Sequence, residues 1–291
     1  MPLDRWSIKK IYPESITNPM SFYVSDVLDN RVDVDGSNLQ TLVKDGDVFY
    51  FQTGNDLGIY NIMSSSQYDI TKINNNHSEC AALQYMHDSR DWKNFEITLY
   101  FLCHSSGSGY LSLKGRGGKQ HYINANCEAF AYIVYIATSG IASFQKKQFQ
   151  GAKFETDENT IAGNLEDSWV GIKYVIYNDI TSVDQDCVVL EVYLDIAANN
   201  NWQRVMRYVD RGGWGDQALF CNANTPDQVG IWGGPIISLK WENMDDFQFK
   251  WLSVREINPF IPFNEGGSSS NILYGYGGMG DTGTGGILRG F

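Results

Sequence analysis

The chain has 291 residues, of which 43% are hydrophobic, 19% are charged and 14% are aromatic. Its 34 acidic and 22 basic residues give a formal net charge of −12, which argues against general binding to nucleic acid or to an anionic membrane surface. No apolar run approaches the ~18 residues of a membrane span. The first residues lack the apolar region of a secretory signal, so we expect synthesis in the cytoplasm without a signal peptide.

The first third of the chain predicts an arm followed by short strands. Residues 1–19 are mixed in character and are expected to form an arm or a first edge strand. Phe22–Val34 and Val48–Gln52 are predicted strands, and the Asp45–Gly46 pair is a turn signal between extended segments. Residues 61–90 are polar and are expected to form a loop.

The middle of the chain carries longer strand patterns. Phe95, Ile97, Leu99 and Phe101 alternate with other residues, which is the period of a strand with one buried face. Further strands are expected at 110–123, Cys127–Ile136 and Trp169–Asn178, with short polar segments between residues 145 and 168.

The clearest pattern is a hairpin within Val188–Gly215. Its first strand is predicted to place Leu190, Val192 and Leu194 on one face, and Glu191, Tyr193 and Asp195 on the other. Asn199–Asn201 predicts the turn, because asparagine tolerates left-handed backbone geometry. The composition favours an antiparallel sheet with one wet face. The last strands are expected at Val229–Trp241 and Phe247–Ile257.

The absence of long helical periodicity predicts an all-β fold, a two-sheet antiparallel sandwich over residues 20–258. Residues 259–291 form a glycine-rich tail, for which a flexible linker is the default interpretation. The alternative is a tail that docks on a partner through its apolar residues, which are Ile272, Leu273, Ile287, Leu288 and Phe291.

Metal and thiol chemistry have little support in the sequence. The five cysteines show none of the spacings of a thiolate metal site and leave at least one thiol free; they are Cys80, Cys103, Cys127, Cys187 and Cys221. Asp245 and Asp246, or Asp195 with Asn199, are candidate calcium ligands. No other cofactor is expected.

Several stretches resemble a largely uncharacterised family with a concanavalin-like lectin/glucanase jelly roll; they include KNFEITLYF, KGRGGKQH, CEAFAY, WVGIKYVIYN, IWGGPIISLKW and FKWLSVREI. The resemblance implies a jelly-roll fold related to alginate-type polysaccharide lyases and laminarinase-type hydrolases. One stretch departs from the family pattern, since Phe144–Gln150 has Lys147 in place of an acid and Gln150 in place of a histidine. If those two residues transfer protons in relatives, this chain has lost that function.

Two kinds of catalysis are weighed against structural roles. A hydrolase needs two close carboxylates, but Glu191 and Asp195 are about 13 Å apart along a strand, so a solvated strand face is favoured. A lyase needs a cation and a proton-transferring group. The candidates are Arg116, His121, Tyr132, and Lys146 or Lys147.

Sugar binding requires only aromatic platforms and a few polar groups. Tyr193, Trp214, Trp232 and Glu191 are the candidate ligand-binding residues, and the tryptophans have the alternative role of packing over the sandwich edge. We expect Arg116, His121 and Tyr132 to approach Tyr193 in one groove.

The sequence therefore favours a non-enzymatic, lectin-like surface or assembly module that oligomerises through its tail and binds glycan or neighbouring subunits. A virion component fits a protein made without a leader. The alternative is a polysaccharide lyase or glycoside hydrolase that acts in the concave groove.

Overall fold

The computed structural model describes residues 2–15, 18–25, 29–35, 42–51, 57–65, 91–104, 109–117, 130–149, 152–181, 187–214 and 229–261. Within these ranges the regular structure consists of strands only. They are β1 (Ser21–Tyr23), β2 (Val32–Asp35), β3 (Leu42–Asp45), β4 (Val48–Phe51), β5 (Leu57–Met63), β6 (Phe95–His104), β7 (Tyr110–Gly117), β8 (Ala131–Ala137), β9 (Ile141–Phe149), β10 (Ala152–Glu155), β11 (Asn159–Thr160), β12 (Val170–Asp179), β13 (Cys187–Asp195), β14 (Gln203–Asp210), β15 (Ile236–Glu242) and β16 (Asp245–Glu256).

The strands form two antiparallel sheets, which confirms the predicted all-β sandwich. The first sheet has the order β14-β13-β12-β6-β16-β4-β3, with β1 also paired to β16. The second has the order β10-β9-β8-β7-β15-β5-β2, with β11 paired to β9. None of the described segments is a helix of the length and apolarity needed to cross a membrane.

The hairpin β13–β14 places its side chains as the alternation predicts. Leu190, Val192 and Leu194 belong to the main core between the sheets. Tyr193 belongs to a separate small cluster with Val175, so it lies on the opposite face of the sheet. Residues 196–202 connect the two strands, which confirms the predicted hairpin.

One expected loop region, and one stretch for which no strand was predicted, contain strands. β5 begins at Leu57 and includes residues 61–63, the start of the segment predicted as a loop, whose residues 66–90 lie outside the described part. β9, β10 and β11 occupy much of the polar stretch near 145–168. β9 carries polar residues on both faces, including the inward Lys146, and this weakens its strand signal.

The amino-terminal arm covers the outer face of the first sheet. Within residues 2–15 there is no strand, and the arm is held by isolated bridges, Leu3 to Lys9 and Glu14 to Ile257. The Ile11 amide donates to Glu96 Oε2 over 3.1 Å, and the Lys9 amide donates to Asn200 Oδ1 over 2.8 Å. The expected wet face of β13 is therefore buried along its whole length.

Candidate functional site

Glu191 and Tyr193 share the outer face of the first sheet, but the arm covers them. Glu191 is only 1% exposed and accepts hydrogen bonds from Tyr12 (2.7 Å) and Tyr193 (2.9 Å), while Arg204 Nη1 lies 3.0 Å from its other oxygen. The prediction of a solvated strand face is wrong, because the arm and β14 bring protein donors to the carboxylate. Burial, and then the hydrogen bond to Glu191, raises the pKa of Tyr12.

Asp195 is also committed to protein partners. Its carboxylate accepts from the Tyr100 hydroxyl over 2.7 Å and from the Asn200 amide over 2.6 Å, so its lone pairs are not open to calcium. Asp245 and Asp246 are exposed at the start of β16. No group of three or more His, Cys, Asp or Glu able to hold a metal ion occurs among the described residues.

Arg116 and Tyr132 lie inside the protein rather than on a groove with Tyr193. Arg116 is fully buried, in a bulge of β7 with φ at 60°, and its Nη1 donates to the Gly230 carbonyl over 2.7 Å. Tyr132 belongs to the main core and accepts a hydrogen bond from the Gly230 amide over 2.8 Å. The expected convergence on Tyr193 is therefore wrong for both side chains. His121 lies outside the described residues.

The adjacent lysines of β9 point to opposite faces of the second sheet. Lys146 is directed inward, where its Nζ lies 2.9 Å from Asp210 Oδ2 and both side chains are fully buried. Tyr132 donates to the same carboxylate oxygen over 2.6 Å. Lys147 is directed outward and is only partly buried.

The two candidate tryptophans are buried near the ends of the core. Trp232 packs against Phe130 with ring centroids 4.8 Å apart. Trp214 packs against Tyr208 at 4.6 Å and Tyr132 at 6.1 Å. Trp232 therefore packs in the core, as its alternative role predicted, whereas Trp214 packs there and also lines a pocket at the sandwich edge.

The outer face of the second sheet carries a cluster of cations, which we call the lysine face. It contains Lys114 of β7, Lys147 of β9 and Lys240 of β15. Lys114 pairs in register with Ser238 on one side and with Ile133 on the other. Ile133 in turn pairs with Gln145, two positions from Lys147. Period-2 alternation therefore puts the three lysines on one face.

The three lysines act on one another electrostatically. Burial, and then the charges of Lys147 and Lys240, lowers the pKa of Lys114 to about 7. Burial and Lys240 also lower the pKa of Lys147. Neighbouring groups with shifted pKa values are typical of functional sites, and structural ion networks produce such shifts too.

Two tyrosines and an acid complete one end of the lysine face. The Tyr110 and Tyr135 rings are 4.4 Å apart. Lys240 Nζ lies 2.7 Å from Glu242 Oε2 and 3.2 Å from the Tyr110 hydroxyl, which itself donates to Glu242. Burial first, and Tyr110 second, raises the pKa of Tyr135 to about 12, so this phenol is protonated at neutral pH.

The rest of the lysine face mixes apolar residues, Ile133 and Ile59, with polar side chains that are almost fully buried. The side chains include Ser112 (4% exposed), Ser143 (4%), Gln145 (3%) and Asn61 (7%). Ser238 donates to Asn61 over 2.6 Å, and Gln145 Nε2 donates to Glu155 Oε1 over 2.5 Å. These hydroxyl and amide groups are therefore held within the protein. The half-buried ammonium groups of Lys114, Lys147 and Lys240 are the polar groups that a chain laid across the sheet can reach.

Sequence reasoning found Lys147 but missed Lys114, Lys240, Tyr110 and Tyr135. A signal was present, since Tyr110, Ser112 and Lys114 alternate with apolar residues, as do Ser238, Lys240 and Glu242. That pattern does not predict that β7 pairs with β15, because the two strands lie more than a hundred residues apart in the chain.

No family model and no curated protein sequence matches the chain. Similar solved structures include a native glycosidic hydrolase, with 9% identity and a TM-score of 0.39 over 83% of this chain and 95% of that chain. The CBM2 module of the evolved Dit of Lactobacillus casei BL23 phage J-1 has 9% identity and a TM-score of 0.38, over 82% and 97% of the two chains. The alginate lyase Aly36B has 12% identity and a TM-score of 0.33, over 74% and 82%.

Likeness at such low identity and TM-score does not transfer a ligand or an activity, because one sandwich fold hosts many functions. The function has to be inferred from the side chains of this chain.

Proposed function

We propose that the protein is a glycan-binding module that holds an acidic polysaccharide against the lysine face. The observation that supports this is the clustering of Lys114, Lys147 and Lys240 on one polar sheet face of a protein whose net charge is −12. Lys240 has a carboxylate partner in Glu242, 2.7 Å away, yet Lys240 and Lys147 still lower the pKa of Lys114, so some repulsion among the cations persists in the unbound protein. An anionic chain relieves that repulsion, so binding gains from both attraction and relief.

The other groups of the lysine face suit a sugar chain. The half-buried rings of Tyr110 and Tyr135, tilted by 31° to each other, supply apolar surface for a sugar ring. A neutral glycan uses only these groups, whereas a uronate also engages the ammonium groups. The lysine face therefore favours acidic over neutral chains.

Affinity electrophoresis tests the proposal with polygalacturonate as the acidic probe and dextran as the neutral one. We expect the wild-type protein to be retarded by polygalacturonate and not by dextran, and Lys240→Ala to reduce the retardation. Lys44→Ala, at an exposed lysine of β3 in the first sheet, is the matched control and should behave as wild type. Equal retardation by both polymers, or equal loss in both variants, would count against a specific site.

A lyase is the second candidate, and the pKa of about 7 for Lys114 favours it. Near pH 7 a substantial fraction of Lys114 is neutral, and the neutral amine can accept the proton from C5 of a uronate. The electron pair forms the C4–C5 double bond as the C4–O glycosidic bond breaks, and a phenol such as Tyr135 protonates the leaving oxygen. Incubation with polyuronates, followed by ultraviolet absorbance of the unsaturated product, separates this candidate from binding alone. A product signal that Lys114→Ala abolishes would establish the lyase.

We also propose that the module works within a larger assembly, such as a virion, through residues 259–291. The support is the sequence of the tail, where apolar residues interrupt a glycine-rich segment that cannot build a core of its own. Light scattering of the full chain at increasing concentration tests whether it assembles.

A further inference from the structure

A pocket of about 510 Å³ opens at the side of the sandwich, and we call it the edge pocket. It lies where β14, the edge strand of the first sheet, faces β9, β10 and β11 of the second. Its volume falls within the ~300–1,000 Å³ that small-molecule sites usually have. It is distinct from the lysine face, which lies on the outer side of the second sheet.

The edge pocket has an aromatic floor. Trp214 and Tyr208 have ring centroids 4.6 Å apart, and Phe144 and Tyr208 are 6.4 Å apart. Phe144 and Met206 are buried and line the same pocket. An apolar floor of this kind stacks against the C–H face of a flat ligand.

The rim of the edge pocket is polar and acidic. Asp157 and Asn159 line it at exposed positions, together with Thr156. Asn159 Nδ2 donates to the Asp157 carbonyl over 3.0 Å, and Thr156 Oγ1 accepts from the Phe144 amide over 3.0 Å, so the rim is held to the floor. Carboxylate and amide oxygens on the rim accept hydrogen bonds from a ligand's hydroxyl groups.

Trp214 provides a second sign that a ligand belongs in the edge pocket. It is only 8% exposed, and its indole Nε1 is buried with no hydrogen-bond acceptor among the described residues. An indole N–H is a donor only, so it needs an oxygen atom from elsewhere. A buried donor without an acceptor weakens folding unless a bound group satisfies it.

We propose that the edge pocket binds a single neutral sugar ring. Such a ring has an apolar face for the aromatic floor, oxygen atoms that accept from Trp214 Nε1, and hydroxyl groups that donate to Asp157. An alkyl ammonium ligand would suit the acidic rim but brings no acceptor for the indole. An anionic sugar would bring acceptors but would meet two carboxylates, Asp157 and Glu155, against one cation, Arg207, whose guanidinium already lies 3.3 Å from Glu191. The proposal does not depend on the lysine face.

The test is saturation-transfer difference NMR with the methyl glycosides of glucose, mannose and galactose, with titration of any that binds. We expect transfer to the ring C–H protons of at least one glycoside. Trp214→Phe keeps an aromatic ring and removes the donor, and Asp157→Asn keeps the shape and removes the charge. Each should weaken binding about three- to tenfold, as loss of one hydrogen bond implies.

Two controls make the result specific. Asp245→Asn removes an exposed carboxylate at the start of β16, and Lys240→Ala changes the lysine face; both should bind the glycoside as wild type does. Thermal unfolding of every variant shows whether it remains folded. If Trp214→Phe does not fold, Asp157→Asn alone decides, because its side chain is exposed.

Absence of transfer from all three glycosides would overturn the proposal, as would binding that neither pocket variant weakens. A synthetic TGGILRGF peptide, matching residues 284–291, is titrated in parallel. If it binds in a manner sensitive to Trp214→Phe while the glycosides do not, the edge pocket is a peptide site and the sugar proposal is wrong.

Discussion

Replacement of Glu96 by glutamine should strongly destabilise the protein, because Glu96 neutralises two buried cations. Its Oε1 lies 2.8 Å from Lys173 Nζ and 2.9 Å from Arg255 Nη2, and all three side chains are 1% exposed or less. Its other oxygen accepts from the Ile11 amide of the arm. Glu96→Gln keeps the size and removes the charge, which leaves the cations without their central partner.

The magnitude follows from the pKa of Glu96. Burial alone would raise this pKa, but Lys173 and Arg255 outweigh burial and lower it from the usual 4.5 to about 2. The difference corresponds to about 3 kcal/mol of stability. Removing one partner of a buried ion pair costs about 3–5 kcal/mol, so the two routes agree.

The pH dependence has a definite sign. A carboxyl group with a lowered pKa in the folded state stabilises the fold above its unfolded pKa of 4.5. That stabilisation is lost as the pH falls through about 2. The difference between wild type and Glu96→Gln should therefore be largest near neutral pH and shrink below pH 4.5.

Urea unfolding at several pH values measures this difference. Glu158→Gln, at an exposed glutamate, is the matched control and should change stability by less than about 0.5 kcal/mol. A Glu96→Gln effect below about 1 kcal/mol at pH 7, or one that does not shrink in acid, would refute the role given to this cluster.

Three further predictions concern packing, charge and assembly. Gly171→Ala should lower the free energy of unfolding by about 1–3 kcal/mol, because the added Cβ would lie 2.7 Å from the Trp202 ring and 2.8 Å from the Tyr100 ring. Unchanged stability in thermal unfolding would contradict this packing. Retardation by polygalacturonate should weaken from about pH 6 to 8, because Lys114, whose pKa is about 7, loses its charge, and Lys114→Gln should lose this pH dependence. Deleting residues 262–291 should leave a folded chain with less concentration-dependent light scattering, and identical scattering would make the tail only a linker.

The fold was predictable where alternation was clean. β13 alternates between aliphatic and polar or aromatic residues, so the faces of Val192 and Tyr193 follow from the period alone. The Asp45–Gly46 turn signal also holds, since Asp45 pairs with Val48 and Gly46 has φ at 60°. β9 was missed because it carries polar residues on both faces, including the inward Lys146, which Asp210 neutralises from the other sheet.

The site was less predictable because it depends on which strands become neighbours. Glu191 looks like a solvated residue within its own strand, and only the arm, through Tyr12, makes it buried. Lys114 and Lys240 look like ordinary surface lysines until β7 and β15 pair. Single-sequence patterns give the face of each side chain but not the side chains that will lie beside it.

The central proposal is that the lysine face binds acidic glycan, and calorimetric titration with polygalacturonate at two salt concentrations tests it most directly. The triple variant Lys114→Ala, Lys147→Ala, Lys240→Ala should bind about ten- to a hundredfold more weakly than wild type, at about 0.5–1 kcal/mol for each lysine. Wild-type binding should weaken with salt, and the triple variant should show little of this dependence. Equal affinity of the triple variant and wild type, with the same salt dependence, would contradict the proposal.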